Sequence, residues 1–102
     1  MQARVARYEV DSDRIQDAVD AFGDAGKEIE QLGGFAGGYI LVDHEDGRTM
    51  TLTLWENDAA LQQSETVARS VRNKASDDVG GSVRSVETFE VAQELVARPA
   101  GV

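Results

Sequence analysis

Apolar and polar positions change period repeatedly along the chain, and the changes mark out six elements. From Val5 to Val10 a short run rich in β-branched and aromatic residues predicts a strand. It ends at Asp11-Ser12-Asp13, whose side chains can accept from the free amides of a helix start. Ile15, Val19, Phe22, Gly26, Ile29 and Leu32 then recur every three or four residues, with Asp17, Asp20, Asp24, Glu28 and Glu30 at other positions. That spacing predicts a helix with one apolar stripe. Gly23 and Gly26 each cost up to about 1 kcal/mol against alanine inside a helix, so they weaken it or mark a close backbone approach. Gly33-Gly34 supplies a left-handed stop.

Within Phe35 to Asp43 the run Tyr39-Ile40-Leu41-Val42 shows no alternation, as expected for a strand covered on both faces. Asp46-Gly47 then predicts a hairpin, because glycine reaches positive φ without a Cβ clash. In Thr49 to Trp55 strict alternation puts Met50, Leu52 and Leu54 on one face and Thr49, Thr51, Thr53 and Trp55 on the other. Asn57-Asp58 caps a second helix whose stripe is Leu61, Ser64, Ala68, Val71 and Ala75, closed by Gly80-Gly81. Ser82 to Val91 reads as a fourth strand, with Val83, Ser85, Glu87, Phe89 and Val91 on one side and Arg84, Val86, Thr88 and Glu90 on the other.

The resulting β-α-β-β-α-β order is the α+β, ferredoxin-like plan: a four-stranded antiparallel sheet with both helices on one face. The other face has no cover of its own. Two sheets packed face to face in a homodimer, as an α+β barrel, would bury its apolar side chains and leave the acidic helices in water. Residues 1–93 are expected to form the single domain and residues 94–102, with the only proline, Pro99, a C-terminal tail.

Charge narrows the partners. Ten Lys plus Arg against nineteen Asp plus Glu leave a formal net charge of -9, which repels phosphate backbones and anionic headgroups, so neither nucleic acid nor a membrane is an expected partner. With no cysteine and one histidine the chain has no thiolate nucleophile and no usual metal-ligand set, and neither a metal nor a cofactor is expected. The first residues hold no apolar stretch of secretory length, which makes a cytoplasmic location the default.

The segments Ala3-Arg-Val-Ala-Arg-Tyr-Glu-Val10, Gly33-Gly-Phe-Ala-Gly-Gly-Tyr39 and Leu52-Thr-Leu-Trp-Glu-Asn-Asp-Ala-Ala-Leu61 resemble the dimeric α+β barrel superfamily, and within it the antibiotic-biosynthesis monooxygenase-like domains. The resemblance covers about residues 3–92 and is most characteristic at Trp55-Glu56 running into a helix. It implies a homodimer with a pocket in each subunit between sheet and helices. Some members oxidise polycyclic phenols or quinols with dioxygen and no metal or flavin; others degrade haem. The haem-degrading branch adds an Asn on the first strand, a Trp early in the second helix and a His later in it. This chain has Arg7, Tyr8 and Glu9 on that strand and, near the other two positions, Ser64 and Lys74, so haem degradation is disfavoured. Some quinol-type members place an Asn four residues before the strand-three Trp; here that position is Thr51, whose hydroxyl donates one hydrogen bond but lacks the reach of an amide.

The candidate substrate-binding residues are Trp55, which could stack on a flat ring, Tyr39 and Tyr8, whose hydroxyls could meet a phenol, Thr51, and Arg72, which could meet an anionic group. Each has a plainer reading as core packing, a locally satisfied hydroxyl or a surface ion pair, the last also open to Arg69. His44 titrates nearest neutrality but sits in a polar hairpin, and no residue is assigned as catalytic. The expected function is cofactor-independent monooxygenation of a small phenol- or quinol-type aromatic. The alternative is a non-catalytic homodimeric barrel that binds an apolar small molecule or serves in stress, and an amino-acid-sensing regulatory module ranks last for want of an effector domain.

Overall fold

The computed structural model describes residues 1–99. Strands β1 (Gln2–Glu9), β2 (Phe35–Asp43), β3 (Arg48–Trp55) and β4 (Ser82–Glu90) alternate with helices α1 (Ile15–Glu30) and α2 (Asp58–Asp78) in the expected order. The sheet is antiparallel throughout, with strand order β2-β3-β1-β4. Both helices lie on one face: Arg4 of β1 bonds to α2, and Tyr8 of β1 stacks on Phe22 of α1 with ring centroids 4.4 Å apart. Residues 91–99 form no regular element. The tail expected over residues 94–102 ends outside the described residues.

Local signals explain most of the boundaries. Asn57 caps α2 by accepting from the Ala60 amide at 2.8 Å. Gly47 has φ +70° in the β2–β3 turn, and a Cβ there would stand 2.1 Å from the Val10 carbonyl oxygen, so the turn demands glycine.

Several expectations need correction. The strand expected from Val5 begins at Gln2, because Arg4 pairs with Thr53 of β3 and Thr88 of β4; tertiary pairing recruits residues of modest strand propensity. Asp11-Ser12-Asp13 form no side-chain cap. They lead into a 3-10 turn, Ser12–Arg14, held by the Arg14 amide donating to the Asp11 carbonyl. Neither Gly23 nor Gly26 marks a close approach, since a Cβ at either would meet nothing within 4 Å. β2 is an edge strand and is not covered on both faces. In β4 the alternation slips at a β-bulge: Ser85 stands opposite Arg7 but Val83 opposite Tyr8, so Val83 leaves the face of Ser85 and Phe89.

The face away from the helices follows the register. Tyr39 and Val5 flank Leu52, Leu41 flanks Met50, and Phe89 and Leu54 flank Ala3. Tyr39 is 65% exposed, Leu41 47% and Phe89 49%. The ion pairs Arg48–Asp43 and Arg84–Glu9 border this apolar centre at the β2–β3 turn end, and Arg7–Glu87 adjoins it, with Arg7 opposite Met50 and Glu87 opposite Val5.

Candidate functional site

The core on the helix side is in two parts. One packs Ala6, Tyr8 and Val10 against Ala18, Phe22, Ala75 and Val79; the other packs Trp55, Ala60 and Leu61 with Ile29, Leu32 and Phe35. Between them lies a cavity of about 460 Å³ lined from both parts, within the range of small-molecule sites. Close-packed interiors rarely leave so large a gap. Its origin is compositional: Gly23, Ala25 and Gly26 of α1, Gly37 and Gly38 of β2 and Ala68 of α2 line it, and small side chains leave the space unfilled.

One end is aromatic. Trp55 is fully buried, donates from Nε1 to Thr53 Oγ1 at 3.1 Å and meets Phe35 edge-on, with centroids 5.5 Å apart at 74°. Arg4 lies 5.8 Å above the indole. Its guanidinium donates to Ser64 Oγ at 3.0 Å, the Leu61 carbonyl at 3.1 Å and Glu65 at 2.8 Å. Burial lowers the Arg4 pKa, Glu65 opposes that fall, and repulsion from Arg72 adds to it.

Tyr8 occupies the other end, its hydroxyl 3.2 Å from Thr51 Oγ1. Burial pushes its pKa above the usual value, against smaller opposing effects of the Thr51 hydrogen bond and the Arg72 charge. The phenol is therefore protonated at neutral pH, a donor rather than a base. The same shift sets an alkaline limit on stability. Unfolded tyrosine ionises near pH 10, and the folded group only at higher pH, so this contribution is complete below about pH 10 and is lost as pH rises toward the folded pKa. Urea unfolding from pH 8 to 11 should show stability falling above about pH 10. Tyr8→Phe should flatten that fall while costing about 0.5–1.5 kcal/mol for the lost hydrogen bond. An unchanged alkaline limb would contradict the assignment.

Of the five residues expected to bind substrate, Trp55, Thr51, Tyr8 and Arg72 come together around this cavity. Tyr39 also borders it, but through β2: its register partner is Leu52, so its ring belongs with the outer face of the sheet. Arg69 is exposed and pairs with Glu65, whereas Arg72 is 9% exposed and buried without a partner for Nε. Sequence reasoning missed Arg4, Phe22, Phe35 and Ile29. Arg4 carried a signal, since period two puts it on the face of Ala6 and Tyr8, where a cation needs a buried partner. His44 sits in the hairpin, exposed and away from the cavity. Among the described residues no cluster of three or more His, Asp or Glu is placed to hold a metal ion, and no helix is long and apolar enough to cross a membrane.

No family model and no curated protein matches the sequence. Solved structures do match the fold. A provisionally assigned antibiotic biosynthesis monooxygenase from Deinococcus radiodurans superposes with TM-score 0.73 at 11% identity, over 97% of this chain and 100% of that one. SnoaB, a cofactor-independent oxygenase from Streptomyces nogalater, gives 0.69 at 15% identity over 92% and 95%. The haem degrader MhuD from Mycobacterium tuberculosis, solved with two haems in its active site, gives 0.70 at 20% identity over 94% and 100%. The chain thus shares, over nearly its whole length, the ferredoxin-like fold of structures described as antibiotic biosynthesis monooxygenases.

Proposed function

We propose that the protein is a cofactor-independent monooxygenase acting on a small phenol- or quinol-type aromatic held between sheet and helices. The observation that carries this reading is the cavity that splits the core, with Trp55 and Phe35 at one end and Tyr8 and Phe22 at the other. Such a site offers a flat ring two aromatic walls and a largely apolar lining, and leaves orientation to Thr51, Tyr8 and the arginines. In the balanced reaction a phenol and dioxygen give a quinone and water: one oxygen atom enters the ring, and the other leaves carrying two hydrogens of the substrate. Tyr8, protonated at neutral pH, can donate to the substrate oxygen on which negative charge develops. The non-catalytic ligand-binding alternative shares the cavity and differs only in lacking turnover. A haem-degrading role is not favoured, because the chain's one histidine lies in the hairpin and offers no imidazole at the cavity.

The proposal includes pairing of two copies through the open sheet face. Leu41, Met50, Leu52, Leu54 and Phe89, with Ala3 and Val5 between them, form an apolar surface bordered at one end by ion pairs, which a second copy can cover.

Oxygen uptake with hydroxynaphthalenes tests the activity, and Gly26→Leu tests its place. Gly26 borders the cavity and a Cβ there meets nothing, so the leucine side chain should occupy the site while raising helix propensity by roughly 0.8–1 kcal/mol. We expect kcat/KM to drop at least about tenfold, the loss of roughly 1.4 kcal/mol of transition-state binding, with the melting temperature unchanged or raised. Binding without oxygen uptake would favour the non-catalytic alternative; unaltered turnover in Gly26→Leu would place the chemistry elsewhere.

A further inference from the structure

The two buried arginines differ in one respect that bears on the ligand. Arg4 has its counter-ion within the fold, in Glu65, together with Ser64 Oγ and the Leu61 carbonyl. Arg72 has none. It is 9% exposed, its Nε, like that of Arg4, is buried without an acceptor, and unlike Arg4 it has no carboxylate paired with it among the described residues. The rim residue Glu30 is exposed and does not pair with it, and on the next turn of α2 the Arg69 guanidinium already holds Glu65. A guanidinium cannot escape this position by losing its proton, and a cation whose Nε is buried without an acceptor carries an uncompensated desolvation cost. Nothing in the packing requires it. Position 72 borders the apolar cavity, where a Leu or Met would fill space at no electrostatic cost.

An overall charge of -9 makes the contrast sharper. Nineteen carboxylates are available, yet none is placed on the one arginine that borders the cavity unpaired. Its charge is felt by the neighbouring Tyr8 phenol, so the cation and a protonated hydroxyl border the same space. Of the two, Arg72 Nε has no acceptor in the protein, and the Tyr8 hydroxyl has Thr51 Oγ1 alone.

We infer that Arg72 is the counter-ion for an anionic oxygen of the ligand, so that the cavity takes a flat aromatic bearing a carboxylate or an ionised phenol in preference to its neutral analogue. The inference rests on the proposed ligand-binding cavity but not on turnover there. In the bound state the ligand supplies the missing acceptor, its ring lies toward Trp55 and Phe35, and its oxyanion meets Arg72 with Tyr8 as second donor. For an oxygenase, holding a phenol as its phenolate also makes the ring more electron-rich. The anion itself selects the site against the field of the surface carboxylates, because the pairing is made at a mostly buried guanidinium on an apolar wall, where charge-assisted hydrogen bonds are strong.

Isothermal titration calorimetry at about pH 8.5, where all the anions are ionised and Tyr8 remains protonated, decides it with three probes: 2-naphthoate, its neutral isostere 2-naphthamide, and 4-nitrophenolate. The wild-type chain should bind at least one anion about tenfold or more tightly than the amide, the size of effect expected from one charge-assisted hydrogen bond. Arg72→Met should abolish that preference while leaving amide binding in place. Lys74→Met, which removes a cation from an exposed position of the same helix, should leave the preference intact. Preference for the naphthoate identifies a carboxylate ligand, and for the nitrophenolate alone a phenolate. Equal affinity for amide and anions in the wild type, or a preference that survives Arg72→Met, overturns the inference and leaves the cavity reading standing. If none of the probes binds, both fall. Should Arg72→Met fail to fold, Arg72→Gln is read in its place; unfolding of both would mark Arg72 as a structural residue and equally overturn the inference.

Discussion

Trp55→Ala should cost about 3–5 kcal/mol of folding stability, the range for removing a buried large aromatic. Domains of this size are stable by only about 5–15 kcal/mol, so the variant would lie close to unfolding at room temperature. The reason is the place of the indole. It is fully buried, closes the second part of the core against Phe35, Ala60 and Leu61, and lies under the Arg4 guanidinium. Because the indole already borders a cavity, its removal enlarges a space that the packing does not close, and the cost should fall in the upper part of the range. Urea unfolding followed by circular dichroism measures it, since the chain has no other tryptophan to report by fluorescence. A loss below about 1 kcal/mol would mean that the second part of the core is held by something other than this residue. Trp55→Phe separates packing from binding: it keeps an aromatic wall, so turnover of a quinol substrate should fall more than stability does. Equal proportional losses would reduce the indole to a packing element.

The second large effect is on assembly. Leu52→Asp places a carboxylate at the centre of the outer sheet face, between Val5 and Tyr39. In a symmetric pair each substitution enters the interface twice. Burying the two carboxylates without partners should weaken association by more than about 3 kcal/mol, or over a hundredfold in the dissociation constant. The lone subunit should tolerate the change, because that face is open to water within one chain. Sedimentation velocity at micromolar concentration is expected to show wild type at twice the chain mass and the variant at the chain mass, with matching circular dichroism. A wild-type chain that sediments as a well-folded monomer would remove the pairing proposal, and with it the explanation of why Leu41, Met50, Leu54 and Phe89 face outward.

What the sequence alone determined was local. The order of strands and helices, the glycine demanded at position 47, the Asn57 cap and the division of β3 into a face of Met50, Leu52 and Leu54 and a face of Thr49, Thr51, Thr53 and Trp55 all follow from periodicity and turn chemistry. These act over a few residues and need no knowledge of neighbours. Only the tertiary structure decided which elements meet. It put β2 at an edge, slipped β4 by one residue at a bulge, drew Arg4 into β1 beside Glu65, and left Tyr39 on the far side from Trp55. It also showed that the glycines of α1 border open space and that Arg72, four residues after Ala68 and three before Ala75 on the buried stripe of α2, has no carboxylate to pair with among the described residues. Cavities and counter-ions are properties of residues distant in the chain. Side-chain volume and charge pairing are settled only when helices and sheet pack, and no period in the sequence records which neighbour will be missing.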